Sequence, residues 1–136
     1  MVLITAEEIR KVMEDGRTNI ASGKFEDAVQ CFDWVLGQDP NNAEAWNGKG
    51  TALTGAGKAG DALQCFDMAI QLNPDLAFAW RNKGKALEML GRDGEAQECY
   101  VNSEAIANRM AQRHEAEAQA EEMAEPKKKK FGFWGK

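Results

Sequence analysis

Apolar positions along this chain fall into pairs of helix-length stripes separated by glycine-rich breaks. The clearest pair covers residues 43–54 and 61–72, and the segment between them reads Gly55-Ala-Gly-Lys-Ala-Gly60. Spacings of three and four residues predict amphipathic helices, and so much glycine predicts that the two stripes are separate elements joined by a tight turn. Trp46, Leu53 and Phe66 supply bulk, while Gly50, Ala62 and Ala69 are small enough to let paired helices approach. Thr5-Ala-Glu-Glu8 has the form of a capping box and predicts where the first helix begins. Near the other end the apolar spacing runs through Cys99, Tyr100, Ser103, Ile106, Ala107 and Met110, then thins to alanines. No glycine or proline interrupts residues 95–125. Either one helix runs on, about 45 Å long at about 1.5 Å per residue, or the chain turns near Asn108 and residues 109–123 fold back as a seventh helical segment.

The stripes repeat. Cys31, Cys65 and Cys99 are spaced by 34 residues, and Phe32, Phe66 and Tyr100 follow in the same phase. So do Ala28, Ala62 and Ala96, the turn glycines Gly23, Gly57 and Gly91, and the helix glycines Gly16, Gly50 and Gly84. Pro40 and Pro74 keep the interval, as do Trp46 and Trp80. The units are about residues 9–42, 43–76 and 77–110, and a proline closes the first two because it cannot continue a helix.

A period of 34 residues with tryptophan, glycine, alanine, aromatic and proline in this order resembles the tetratricopeptide repeat. The middle unit is similar throughout (Trp46, Gly50, Leu53, Gly57, Ala62, Phe66, Ala69, Pro74). The third departs late, with Ser103 for a small residue and Asn108 for the proline, and the first has Val12 and Asn19 where aromatics are usual. The resemblance implies an all-α fold, a right-handed superhelical solenoid of three helix-turn-helix repeats plus a C-terminal helix. Residues 1–125 would form that domain and residues 126–136 a separate tail. A single such hairpin cannot bury its apolar face alone, so stacking is required for stability.

The chemistry-bearing residues are sparse. Each cysteine sits at one place on the second helix of its own unit, so equivalents lie about two helix diameters apart, beyond the roughly 7 Å between Cα atoms that a disulfide tolerates. They are expected to be free, packed thiols. The single histidine, His114, lies outside the repeats, no Cys-x-x-Cys pair exists, and Gly55-Ala-Gly-Lys58 lacks the spacing of a phosphate loop. The expectation is a protein that is not an enzyme, with no catalytic residues, metal or cofactor.

The resemblance also implies where a partner binds. In the family, the first helices of successive units line a concave groove that holds an extended peptide or a helix. The corresponding positions are Arg10, Met13, Arg17, Ile20 and Ala21, then Glu44, Asn47, Thr51 and Thr54, then Phe78, Arg81, Asn82, Lys85, Glu88 and Met89. Four bases against two acids at these places point to an acidic segment, with Met13, Phe78 and Met89 for apolar contact. Family members that grip the acidic C-terminus of heat-shock chaperones use a two-carboxylate clamp of Lys and Asn, then Asn, then Lys and Arg. Here those places hold Met13 and Arg17, then Gly48, then Phe78 and Asn82, so that clamp is absent.

Charge sharpens the division between body and tail. Residues 1–126 carry 12 basic and 22 acidic side chains, whereas the last ten carry five lysines and no acid. A body so acidic is a poor nucleic-acid binder, because phosphate contacts need clustered cations. The tail, Lys127-Lys-Lys-Lys-Phe131-Gly-Phe-Trp-Gly-Lys136, interleaves cations with aromatics. That composition fits an anionic membrane surface, at about 1 kcal/mol per lysine, nucleic acid, a groove on another copy, or a solubilising extension. No secretory leader or apolar run of spanning length is visible, and the expected location is the cytoplasm. Two readings stand. One is an adaptor whose groove binds a partner's peptide or helix; the other is a scaffold that assembles with itself through the C-terminal helix or tail.

Overall fold

A chain whose apolar stripes are all of helical period folds into helices alone. The computed structural model describes the backbone of residues 3–134 and the side chains of residues 3–124, and no strand occurs among the described residues. Six helices follow in order: α1 Ala6–Ala21, α2 Phe25–Gln38, α3 Ala43–Gly55, α4 Ala59–Leu72, α5 Ala77–Met89 and α6 Asp93–Trp134. The capping box forms as expected, with Thr5 Oγ1 accepting from the Glu8 N–H at 3.1 Å and the Glu8 carboxylate accepting from the Thr5 N–H at 2.8 Å. Asn42 does the same for α3, its Oδ1 accepting from the Ala45 N–H at 3.0 Å.

Each hairpin turns on one device. Gly23, Gly57 and Gly91 have φ of 76°, 81° and 74°, the left-handed region that glycine adopts without cost. The next residue's N–H then reaches back five residues, from Lys24 to Asn19 O, Lys58 to Leu53 O and Arg92 to Leu87 O, at 2.7–2.9 Å. This satisfies carbonyls that the end of a helix would otherwise leave unpaired. The join between repeats is also repeated. The Trp46 and Trp80 indoles donate to the carbonyls of Pro40 and Pro74, at 2.8 and 3.1 Å.

Close approach within each hairpin depends on the helix glycines. A Cβ on Gly16, Gly50 or Gly84 would lie 2.7, 2.5 or 2.7 Å from the ring of Phe32, Phe66 or Tyr100 respectively. The aromatic of the second helix therefore rests directly on the backbone of the first. Phe32 and Phe66 are 1% and 0% exposed and lie in successive clusters of the core. Between repeats, Lys49 and Lys83 lie 5.8 Å above the rings of Trp46 and Trp80 and reach Asp33 and Asp67 at 2.7 Å.

The C-terminal region takes the first of its two alternatives. α6 runs unbroken, so the seventh helical segment expected after Met110 is not a separate element. Ser103 Oγ donates to the Ala77 carbonyl at 2.9 Å and Arg109 pairs with Asp75, which fixes the first half of α6 to α5 and the turn before it. From Ala107 to Ala124 every residue is exposed, and α6 contacts α5 alone. The physical reason is that folding back would require an apolar stripe to bury, and this stretch offers alanines around the exposed Met110 and Met123. The basic and aromatic side chains expected to act as an anchor, in residues 126–136, lie outside the described residues.

The three cysteines are unpaired. Cys65 and Cys99 are buried, and burial is the main cause that lifts both thiols above their usual range, with Lys49 and Lys83 opposing it. Cys31 is only partly buried and accepts a long contact of 3.7 Å from the Asn19 amide. A raised pKa leaves less thiolate at neutral pH, and the thiolate is the reactive form. Timed iodoacetamide labelling of the native protein, followed by peptide mass spectrometry, should therefore modify Cys31 first. Cys65 and Cys99 should gain on it only as the pH is raised. Simultaneous labelling of all three would contradict the packing described above.

A candidate binding groove on the inner helices

The curvature of the array follows from which helices meet. The backbones of α1 and α3, and of α3 and α5, approach one another, whereas those of α2, α4 and α6 do not. The first helices of the hairpins are thus drawn together on the inner face and the second helices are splayed on the outer one. A concavity of about 400 Å³ lies on that inner face. Its lining comes from α1 (Arg17, Ile20), α2 (Phe32), α3 (Glu44, Asn47, Gly48, Thr51) and the start of α5 (Leu76, Phe78).

Of the positions expected to face a partner, Arg17, Ile20, Glu44, Asn47, Thr51 and Phe78 line this concavity. Arg17 donates to Glu44 at 3.4 Å, so its charge is answered within the groove. Phe78 is 59% exposed and carries the Arg81 guanidinium 5.0 Å above its ring. Asn82 stands beside the concavity, and its amide donates to Asn47 Oδ1 at 3.1 Å and to Thr51 Oγ1 at 3.3 Å. Thr51 in turn donates to the Asn47 carbonyl at 2.9 Å. Arg10 and Lys85 are exposed, and neither has an ion-pair partner among the described residues. Met89 is 56% exposed at the far end of α5, away from the concavity.

Met13 is the correction. It is 5% exposed, belongs to the cluster of Phe32, Ala28 and Ala45, and does not line the concavity. Its equivalents Asn47 and Arg81 are polar and more exposed, but in the first repeat a long flexible thioether at this place fills the gap between α1, α2 and α3. Phe32 and Leu76 are lining residues that the repeat pattern did not suggest, and Gly48 entered the sequence reading only as a clamp position lacking its side chain. One signal was present. Gly48 is a mid-helix glycine outside the 34-residue glycine series, with Glu14 and Asn82 at the corresponding places.

Among the described residues no group of three or more His, Cys, Asp or Glu side chains could hold a metal ion. No helix among them is long and apolar enough to cross a membrane.

Comparison with known proteins agrees with the architecture. The family model described as tetratricopeptide repeat matches residues 15–77. Among solved structures, the first TPR of Spaghetti (RPAP3), bound to the HSP90 peptide SRMEEVD, superposes with a TM-score of 0.70 at 20% identity. The match covers 87% of this chain and 99% of that one. MamA superposes with a TM-score of 0.69 at 17% identity, and a chain of the CopN-Scc3 complex with 0.68 at 16%. In both cases 76% of this chain is covered and it spans only 61% of the other. At these identities the likeness is one of fold. No curated protein sequence matches the chain.

Proposed function

Since the chain is a member of the tetratricopeptide-repeat family, we propose that it is a protein-interaction module whose inner groove binds a segment of a partner protein, and that this segment is acidic. The observation that supports the reading is the concavity lined from all three inner helices, beside which Arg81 lies over its Phe78 wall and Lys85 follows on the same helix. Arg17 is neutralised by Glu44, while Arg81 and Lys85 face outward with no carboxylate partner among the described residues. Arg81 and Lys85, four residues apart on one helix, project from the same face and offer paired donors to a carboxylate. The Spaghetti domain named above holds the peptide SRMEEVD. Because the residues of the usual clamp are absent here, the proposed partner is an acidic segment held more loosely, with the module acting as an adaptor in the cytoplasm.

The test is binding of a fluorescently labelled glutamate-rich decapeptide, followed by polarisation, to the native chain and to the Arg81→Glu/Lys85→Glu variant. Each exposed pair contributes about 1 kcal/mol at most. Exchanging two attractions for two repulsions should therefore weaken binding by about tenfold or more. Circular dichroism should show unchanged helix content, and the native affinity should fall as salt rises. Equal binding by both proteins, or preference for a lysine-rich peptide, would move the working surface off this groove.

A second reading has one observation in its favour. In the stretch of α6 from Ala107 to Ala124 every residue is exposed, with the Arg109–Asp75 pair near its start, and a second copy could cover the remainder, making the chain a self-assembling scaffold. Light-scattering mass with and without residues 126–136 separates the two, since the adaptor is monomeric in both forms.

A further inference from the structure

The two seams of the inner face are not alike, although the repeat places equivalent residues in each. At the α3/α5 seam Asn82 spans the helices, and its amide is spent on Asn47 and Thr51 at 3.1 and 3.3 Å. At the α1/α3 seam the equivalent residue is Gly48, which has no side chain to offer. The space it vacates is taken from below by Phe32. A Cβ on Gly48 would lie 2.4 Å from two atoms of that ring. Only Arg17 and Glu44 bring charge to this part of the groove, and they are joined to each other at 3.4 Å. One seam is therefore closed by a satisfied polar ladder. The other is a hollow with apolar walls at Ile20, Leu76 and Phe78 and a rim made of Asn47, Thr51 and the joined Arg17–Glu44 pair.

We infer that the α1/α3 seam, floored by Phe32 beneath Gly48 and walled by Ile20, Leu76 and Phe78, is a specificity subsite for one large apolar side chain of the bound segment. This rests on the groove reading given above and adds the register of the ligand. A carboxylate entering the hollow would have to break the Arg17–Glu44 pair and would lie against the apolar walls of Ile20, Leu76 and Phe78, whereas an aliphatic or aromatic side chain displaces only water. The concavity, at about 400 Å³, has room for it. Phe78 connects the hollow to the cations, since the Arg81 guanidinium lies over its ring. Neighbouring helices are about 8–10 Å apart and an extended peptide advances about 3.3 Å per residue. The apolar residue and the carboxylate held by Arg81 and Lys85 are thus two or three positions apart in the ligand.

Two labelled acidic decapeptides test this, identical except that one carries leucine three positions from a glutamate and the other carries serine there. Binding is measured by polarisation to the native chain, to Phe78→Ala, and to Arg81→Glu/Lys85→Glu. The leucine peptide should bind the native chain about tenfold more tightly, the effect expected of burying most of one such side chain. Phe78→Ala should shrink the ratio of the two affinities toward one, while the double charge reversal should weaken both peptides by a similar factor and leave the ratio standing. If the two peptides bind alike and both are lost on charge reversal, the subsite is wrong and the acidic groove survives. If neither peptide binds the native chain, both are wrong.

Discussion

Phe66→Ala should lower the free energy of unfolding by about 3–5 kcal/mol, the cost of emptying an aromatic site in a packed core. The ring is 0% exposed and is enclosed by Gly50 of its own hairpin together with Ala59, Ala62 and, from the next repeat, Ala86. Most of these neighbours are alanine or glycine, which have no longer side chains to swing into the cavity, so relaxation recovers little. The effect is magnified by architecture. In a stacked array each unit is stabilised by its neighbours, and Phe66 belongs to the middle one, so weakening it loosens both seams at once. Since a domain of this size is stable by only about 5–15 kcal/mol, the variant stands near the threshold of unfolding at ambient temperature. Urea denaturation followed by circular dichroism provides the measurement. Met123→Ala, at a side chain 78% exposed, is the control and should change stability by less than about 0.5 kcal/mol. A loss below about 1 kcal/mol for Phe66→Ala would mean that the ring is not the keystone of the second repeat.

The same substitution at two helical glycines should have opposite signs. Gly50→Ala places a Cβ 2.5 Å from the Phe66 ring, which is fully enclosed and cannot retreat. Overpacking of this kind costs about 1–3 kcal/mol, outweighing the gain of about 1 kcal/mol that alanine brings to a helix interior. Gly37 in α2 is exposed and nothing lies within 4 Å of a Cβ built on it. Gly37→Ala should accordingly stabilise the chain by about 0.5–1 kcal/mol. The conflict at Gly50 is with one ring, so it should be relieved by shortening that ring. Gly50→Ala combined with Phe66→Leu should cost less than the sum of the two single changes, a coupling that a double-mutant cycle measures directly. Strict additivity would place the strain somewhere other than between these two residues.

This packing bears on the groove. Phe32 is held from below by Gly16, where a Cβ would come within 2.7 Å, and its ring meets Gly48 above. The floor of the proposed subsite is therefore a core residue in a fixed position. A site built on such a residue is pre-organised, and a ligand need not pay to order it. The walls differ in this respect, because Phe78 is 59% exposed and has only the Arg81 guanidinium over its face.

What the chain encodes locally could be read from the sequence by itself. Helix and turn depend on residues a few positions apart, so the 34-residue period, the turn glycines, the closing prolines and the capping box at Thr5 were enough to determine six helices in three hairpins. The free thiols followed from the same period, because equivalent places in a stack are far apart. The inner face was legible only as a set of positions. Whether a residue there meets a ligand, a neighbour or the core depends on side chains contributed by other repeats, and no local pattern reports them. Thus Met13 is absorbed into the core beside Phe32 and Ala45, while Asn82 is spent on Asn47 and Thr51. Arg17 is neutralised by Glu44, 27 residues away. The path of α6 was open in the sequence for a related reason. Good helix formers permit both a straight continuation and a fold-back, and only the lack of an apolar stripe to dock, weighed against the surface available on α5, decides for the straight helix.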